Sequence, residues 1–374
     1  MTNFPLLKLP AVALHEVMKM MMPIEIFKLA MCSIQIESFL RHRKYKTDGL
    51  QINLSNNPLR IDIRHSGGWQ TIVVKSTWIH LSGVPLRLRY TRENGQEIHF
   101  THANLDEMFD IQRRLCAICS FPYMPTVLYI DQLRHGQFFQ LLNKVLETEY
   151  TQLSLVGGRL SESMLREVLN NVPTTKNLEV TSDVPFDFDH PNALKYDVTI
   201  FKNARWVQLE SLFSIRNVHS VKLEQTMFDC YDLNKFLRYW VDCDEFMLRV
   251  LEFKLMDGTV YDEEVIADQL IKSSYYENGI PQIFIKSKKE AGQRYVLGCL
   301  ELTEAMVFFT TWDPNEDYSD IFQTLKKKEI LERKRELEEE TAEIEREAEV
   351  RKGLISVELE ELNRKLIEIE QRNV

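Results

Sequence analysis

The spacing of apolar positions changes several times along the chain. Up to about residue 46 they fall three and four apart. Leu14, Val17, Met18 and Met21 follow Pro10, while Ile26, Leu29 and Ala30, and then Ile36, Phe39 and Leu40, follow Pro23. This spacing predicts short helices, and each proline suits a first helical turn, where its missing N–H costs nothing. From 49 to about 101 the period drops to two, in Leu50, Ile52, Leu54, in Leu59, Ile61, Ile63 and in Leu86, Leu88, Tyr90. These alternations predict strands, with turns at Gly67-Gly68, Ser82-Gly83 and Asn94-Gly95. A helix fits 105–119, with Leu105, Met108, Phe109, Gln112, Leu115 and Cys119 along one side.

Between 125 and about 312 short apolar runs return at a nearly constant distance. They occur near Leu128, Leu153, Leu178, Val198, Val221 and Leu251, in steps of 25, 25, 20, 23 and 30 residues. Helical patterns lie between most of them: Phe138 to Val145, Met164 to Leu169, Trp206 to Phe213 and Leu233 to Val241. A strand-helix unit this short cannot bury its own apolar face, so consecutive units are expected to stack into a parallel sheet with right-handed crossovers. The period is that of leucine-rich repeats, although the consensus Asn or Cys is missing. The stretch VPFDFDHP, Val184 to Pro191, interrupts the helical pattern and predicts a loop; Tyr295 to Trp312 predicts closing strands.

Residues 319–374 are dominated by Glu, Lys, Arg, Leu and Ile, with no proline and one glycine, Gly353. One long helix is expected. Ile355, Leu359, Leu362, Leu366 and Ile369 form a 4-3-4-3 seam, whereas the earlier seam positions hold Lys334, Thr341 and Ala348. A coiled coil and a single helix held by i,i+4 ion pairs both fit. The seam is too sparse to belong to the preceding core, so the tail is expected to be dispensable for folding.

Composition narrows the function classes. Hydrophobic residues make up 44% and charged residues 27% of the 374, as in folded proteins. The formal net charge of -10 disfavours a nucleic-acid backbone as partner, and the alternating Arg87, Arg89 and Arg92 suit the solvent face of a strand. No run approaches the ~18 apolar residues of a membrane span, and no basic segment leads an apolar run as in a secretory signal. Six irregularly spaced cysteines make no disulfide framework, so a cytoplasmic or nuclear setting is expected. No phosphate-binding glycine loop, Gly-x-Ser-x-Gly elbow or His-Glu-x-x-His is present, so no catalytic residue and no cofactor is assigned. His99-x-x-His102 followed by Cys116-x-x-Cys119 has zinc-like spacing, but Cys119 falls on the apolar side of its predicted helix, where a free thiol is at home; no metal is expected.

The first segment resembles the F-box. The residues that carry the resemblance are Leu9-Pro10, Leu14, Val17-Met18, Pro23-Ile24-Glu25-Ile26, Leu29, Cys32-Ser33 and Phe39-Leu40. Met22 departs from it, standing where a polar cap would be easier to understand. Farther on, Trp206 to Leu212 (WVQLESL), Val221 to Glu224, Asp232 to Trp240 (DLNKFLRYW) and Leu251 to Phe253 resemble the nematode-expanded F-box family carrying an F-box-associated domain of the second type. Pattern and resemblance together give an α+β chain with α/β repeats in four parts: an F-box at 1–46, a β-rich segment with one helix at 49–120, a leucine-rich-repeat-like, F-box-associated substrate-binding domain at 121–314, and a charged helix at 319–374, about which the resemblance says nothing.

The function so implied is that of a non-catalytic subunit. It would bridge a Skp-family adaptor, and through it a cullin-RING ubiquitin ligase, to an unknown protein substrate. Leu9, Pro10, Leu14, Val17, Met18, Pro23, Ile26, Leu29 and Cys32 are the candidates for the adaptor face, though a module this small also needs apolar residues for its own core. Aromatic side chains on the concave or rim surface are the candidate substrate anchors: Tyr231, Tyr239, Tyr275 and Tyr276, of which Tyr239 fits the core equally well. Self-association through the C-terminal helix is open to such a chain; the competing reading is a non-catalytic repeat and coiled-coil scaffold unconnected to ubiquitin.

Overall fold

The computed structural model describes residues 8–56, 59–66, 68–76, 87–89, 97–103, 105–277, 280–288, 296–303, 306–313 and 318–372. The turns expected at Ser82-Gly83 and Asn94-Gly95 lie outside these. Of His99, His102, Tyr276, Leu366 and Ile369 only the backbone is described.

Three helices open the chain: α1 (Ala11–Lys19), α2 (Pro23–Cys32) and α3 (Ile34–Arg43). The alternating stretch then forms β1 (Tyr45–Lys46), β2 (Gly49–Leu54), β3 (Leu59–His65), β4 (Gly68–Ser76), β5 (Arg87–Arg89) and β6 (Glu97–Ala103). Next come α4 (Leu105–Ile118) and β7 (Cys119–Ser120), which leaves Cys119 just beyond the helix rather than on it.

All six recurring apolar runs are strands, namely β8 (Pro125–Tyr129), β9 (Gln152–Val156), β10 (Asn177–Val180), β11 (Val198–Phe201), β12 (Val218–Leu223) and β13 (Leu248–Phe253). Helices α5 (His135–Leu146), α6 (Glu162–Asn171), α7 (Leu209–Phe213) and α8 (Cys230–Asp242) lie between them, and the VPFDFDHP stretch joins β10 to β11 without a helix. The chain continues through α9 (Glu263–Ile266), β14 (Lys272–Glu277), β15 (Ile280–Lys286), β16 (Leu297–Leu302) and β17 (Val307–Trp312) to α10 (Ser319–Arg372).

Among the described residues one 15-stranded sheet holds all of these strands except β1 and β7. Its middle, β2 and β8 to β13, is parallel, and each of β8 to β13 pairs with its sequence neighbour. β3 and β4 add to the β2 side, and β17, β16, β15 and β14 to the β13 side, all antiparallel to the strand they join. The pairing of β2 with β8 carries the sheet without a break from the β-rich segment into the recurring units.

The register explains the recurring pattern. Leu128, Leu155, Val180, Phe201, Leu223 and Phe253 stand opposite one another on successive strands, all buried. Each such side chain contributes about 1.5–3 kcal/mol on full burial, and none can be covered by its own unit. Caps set the helix starts: Ser161 Oγ accepts from the Met164 N–H (3.3 Å) at α6, and Asp229 Oδ1 accepts from the Asp232 N–H (2.9 Å) at α8. Helix α8 lies close over β16 because residue 298 is glycine. A Cβ there would stand 2.6 Å from Phe309 Cε2 and 3.1 Å from Trp240 Cη2. Gly298→Ala is therefore expected to cost about 1–3 kcal/mol, read as a lowered thermal midpoint.

The tail departs from expectation at its start. Leu325 is fully buried and, with Ile321, Phe322 and Tyr318, covers Phe284, Leu297, Cys299 and Trp312 on the sheet face opposite α8. Lys286 Nζ meets Glu329 Oε2 at 2.8 Å beside this contact. The first turns of α10 thus belong to the folded body, and the sequence reading of the tail as dispensable is corrected. A heptad seam pairs helix with helix, whereas these residues pack on a sheet. From Ile330 to Arg364 every side chain is exposed.

Candidate functional site

The three N-terminal helices stand at the rim of the sheet where its parallel strands begin. Pro23 opens α2, and the Ile24 N–H it leaves at the helix end donates to Gln70 Oε1 (3.0 Å) on β4. The side chain of Glu25 turns back to accept from the Met22 N–H (3.0 Å), so an acidic residue three positions on answers the missing polar cap at Met22. Tyr45 Oη donates to the Met21 carbonyl (3.0 Å) and lies 3.2 Å from His65 Nε2 on β3. Arg114 on α4 reaches Glu37 on α3 at 2.6 Å, and this hydrogen bond, more than that from Arg41, holds the Glu37 carboxyl below its ordinary value. Phe27, Ala30, Ile36 and Leu40 share one apolar cluster with the strands. The helical unit is therefore docked on the sheet through its own core.

That docking sorts the candidate adaptor residues. Leu14, Met18, Pro23 and Ile26 are buried, Ile26 at 0% exposure, and so line the chain's own core rather than an outer face. Leu9, Val17 and Leu29 are half-buried, and Pro10 and Cys32 are exposed. Sequence reasoning missed the largest outward apolar side chains: Val12, Met20 at 80% exposure, Ile34 at 86%, and Met22. They lie off the three-to-four stripe, Ile34 directly after the Ser33 cap. The signal that could have found them is that a stripe in a docked helix points inward, so its apolar exceptions point out.

The three candidate tyrosines whose side chains are described sit on different elements, α8 and β14. Tyr239 stacks on Phe213 (ring centroids 4.4 Å), and its hydroxyl accepts from Arg216 Nη2 (2.8 Å). It is a structural contact between α8 and the turn after α7, and the sequence assignment as an anchor is corrected. Tyr275 lies on the edge strand β14 against Phe284 (5.7 Å), still exposed; Tyr231 sits at the first turn of α8 at 65% exposure.

At Cys116 the one nearby cation, Lys44, is outweighed by burial and by Glu149, and at Cys119 burial dominates, so neither thiol has the surroundings that favour a thiolate ligand. Burial pushes the Cys116 thiol up to about 11 and the Cys119 thiol up to about 12. Among the described residues no group of three or more His, Cys, Asp or Glu is placed to hold a metal, and no helix is long and apolar enough to cross a membrane. Native alkylation is expected to modify the exposed Cys32 and to spare Cys119 until the chain unfolds, as peptide mass spectrometry can check.

The C. elegans protein named Skn-1 dependent zygotic transcript 15 protein is 23% identical over 283 residues, 68% of this chain and 81% of that protein. No solved structure matches. Residues 6–48 match the F-box domain family, so the three docked helices are an F-box domain, a module whose general role is to bind the Skp-family adaptor in substrate-recognising ubiquitin ligase complexes of the SCF type.

Proposed function

We propose that the chain is the substrate-recognition subunit of a cullin-RING ligase. Its F-box holds the Skp-family adaptor, and its sheet body holds a protein substrate. The observation that carries this reading is the division of labour in the F-box. One set of apolar side chains fixes it to the sheet, and a second set, Val12, Met20 and Ile34, faces out, uncovered among the described residues. The chain would do no chemistry; it would raise the effective concentration of substrate lysine near the charged ubiquitin-conjugating enzyme.

The body, in this reading, is an F-box-associated domain of the second type, and β8 to β13 with their helices are leucine-rich-repeat-like units. The six free cysteines suit a cytoplasmic or nuclear location. Ile355, Leu359 and Leu362, all exposed, are the seam through which two chains would associate. The deciding experiment is co-purification of the full chain with the adaptor. Capture is the expected result, and its absence would leave the scaffold reading in place.

A further inference from the structure

The sheet ends in two unlike edges. At one end β5 is three residues long, with arginine at both of its ends, Arg87 and Arg89. Shortness and charge are common means of keeping an edge from pairing with another strand. At the other end β14 is six residues long and reads KSSYYE, with no proline and one lysine, Lys272. That lysine is committed, since its Nζ meets Glu263 Oε1 at 3.1 Å. Ser274 and Tyr275 are exposed, Tyr275 at 40%.

Ladder bonds in an antiparallel pair alternate, so every second residue of β14 turns its N–H and carbonyl away from β15. Pro281, opposite Tyr276, has no N–H to give, and the Lys272 carbonyl accepts from Lys328 Nζ of α10 (2.8 Å). Both place residues 272, 274 and 276 in the outward set. Lys328 takes the first of them. Among the described residues nothing takes the backbone N–H or carbonyl of Ser274.

This edge matches itself. Two copies of β14 laid antiparallel about Tyr275 set Ser274 opposite the partner's Tyr276, and Tyr276 opposite the partner's Ser274. Outward groups then meet outward groups on both rungs, and the contact closes as a symmetric pair. Tyr275 meets the partner's Tyr275 between those rungs, an aromatic pair at the closest cross-strand spacing. Ser273 falls opposite the partner's Glu277, so no rung opposes like charges. The two-fold axis of such a pair stands perpendicular to the sheet and keeps both α10 helices on one face. Helix α10 starts against β14 and β15, and its side chains from Ile330 to Arg364 are exposed. A foreign strand would satisfy the edge and leave α10 bare, whereas a second copy brings an identical exposed helix to the same place.

We propose that the chain forms a symmetric dimer in which the β14 edges of two copies pair antiparallel, with Tyr275 on the partner's Tyr275. The inference rests on the reading of the tail as self-associating and names the body surface that joins first. The edge contact is small, and α10 completes it.

The test uses the full chain. Sedimentation over a range of concentrations should show a reversible dimer. Ser274→Pro removes an outward N–H, which an edge strand tolerates. It should weaken the dimer by about tenfold or more with the thermal midpoint unchanged. Ser273→Pro removes an inward N–H and should lower the midpoint instead. Register is read by oxidation in a Cys32→Ser background, because Cys32 is an exposed thiol. Tyr275→Cys should give a disulfide-linked dimer, since opposed residues stand about 4.5–5.5 Å apart at Cβ, close to disulfide geometry. Ser274→Cys should not, because it and its copy lie on a diagonal of about 7–8 Å.

A dimer that a folded Ser274→Pro chain leaves unchanged, or equal cross-linking at 274 and 275, would overturn the proposal and leave the tail reading standing. A monomeric wild-type chain would overturn both. Where Ser274→Pro fails to fold, the contrast between the two cysteines decides alone.

Discussion

Replacing Met20 and Ile34 together with aspartate is expected to abolish capture of the Skp-family adaptor while leaving the thermal midpoint where it was. Both side chains are almost fully exposed in the chain alone, so the folded state loses nothing when they change. In a complex each would place a charge against a desolvated apolar surface. Truncating a central interface side chain costs ~2 kcal/mol or more, and burying an unpaired carboxylate costs more again. The pair should therefore weaken binding by over about a thousandfold. Ile26→Ala is the matched control with the opposite signature. Ile26 is fully buried, so its truncation should cost about 2–5 kcal/mol of stability and weaken adaptor capture only through unfolding. Co-purification and thermal unfolding of the two variants separate the cases. Loss of adaptor binding in a folded Ile26→Ala chain, with the aspartate pair unaffected, would reverse the assignment of inner and outer faces.

Removing 319–374 is expected to lower the stability of the body by roughly 3–6 kcal/mol. Leu325 is fully buried, Ile321 and Phe322 are half-buried, and Phe284, Leu297 and Trp312 would be uncovered with them. Against a typical net stability of about 5–15 kcal/mol, that is close to unfolding. Removing 335–374 instead keeps the whole contact and the Lys286–Glu329 ion pair, and the midpoint should not move. If Ile355, Leu359 and Leu362 pair two chains, this shorter deletion should also convert a dimer to a monomer on size exclusion. Equal stability of the two truncated chains would remove the start of α10 from the core.

Much of this was legible in the sequence because the physics behind it is local. The recurring strands show in runs such as LSLV because a strand buried on the helix side needs apolar residues at alternate positions. The F-box showed in its prolines and helical stripe for similar reasons. Two things were not legible. Which way a helix stripe faces depends on what it packs against, so the sides of Ile26 and Met20 follow only from the contacts of the F-box with Gln70 on β4 and Arg114 on α4. Likewise the role of Leu325 depends on Phe284 and Leu297, which precede it by about thirty to forty residues with no shared period.

The antiparallel strands at the two ends of the parallel stack make its ends and its middle unequal in evolution. A unit duplicated or lost between β9 and β12 would re-form the same strand-to-strand rungs with its new neighbours, since every rung there is parallel and the aligned row Leu155, Val180, Phe201 and Leu223 is apolar throughout. The same event at β2 or β13 would strip the stack of a terminating hairpin and leave a bare edge, the feature that invites misassembly. Lineages descended from such a chain should therefore differ in the number of central units and in the lengths of their loops, and keep their two ends.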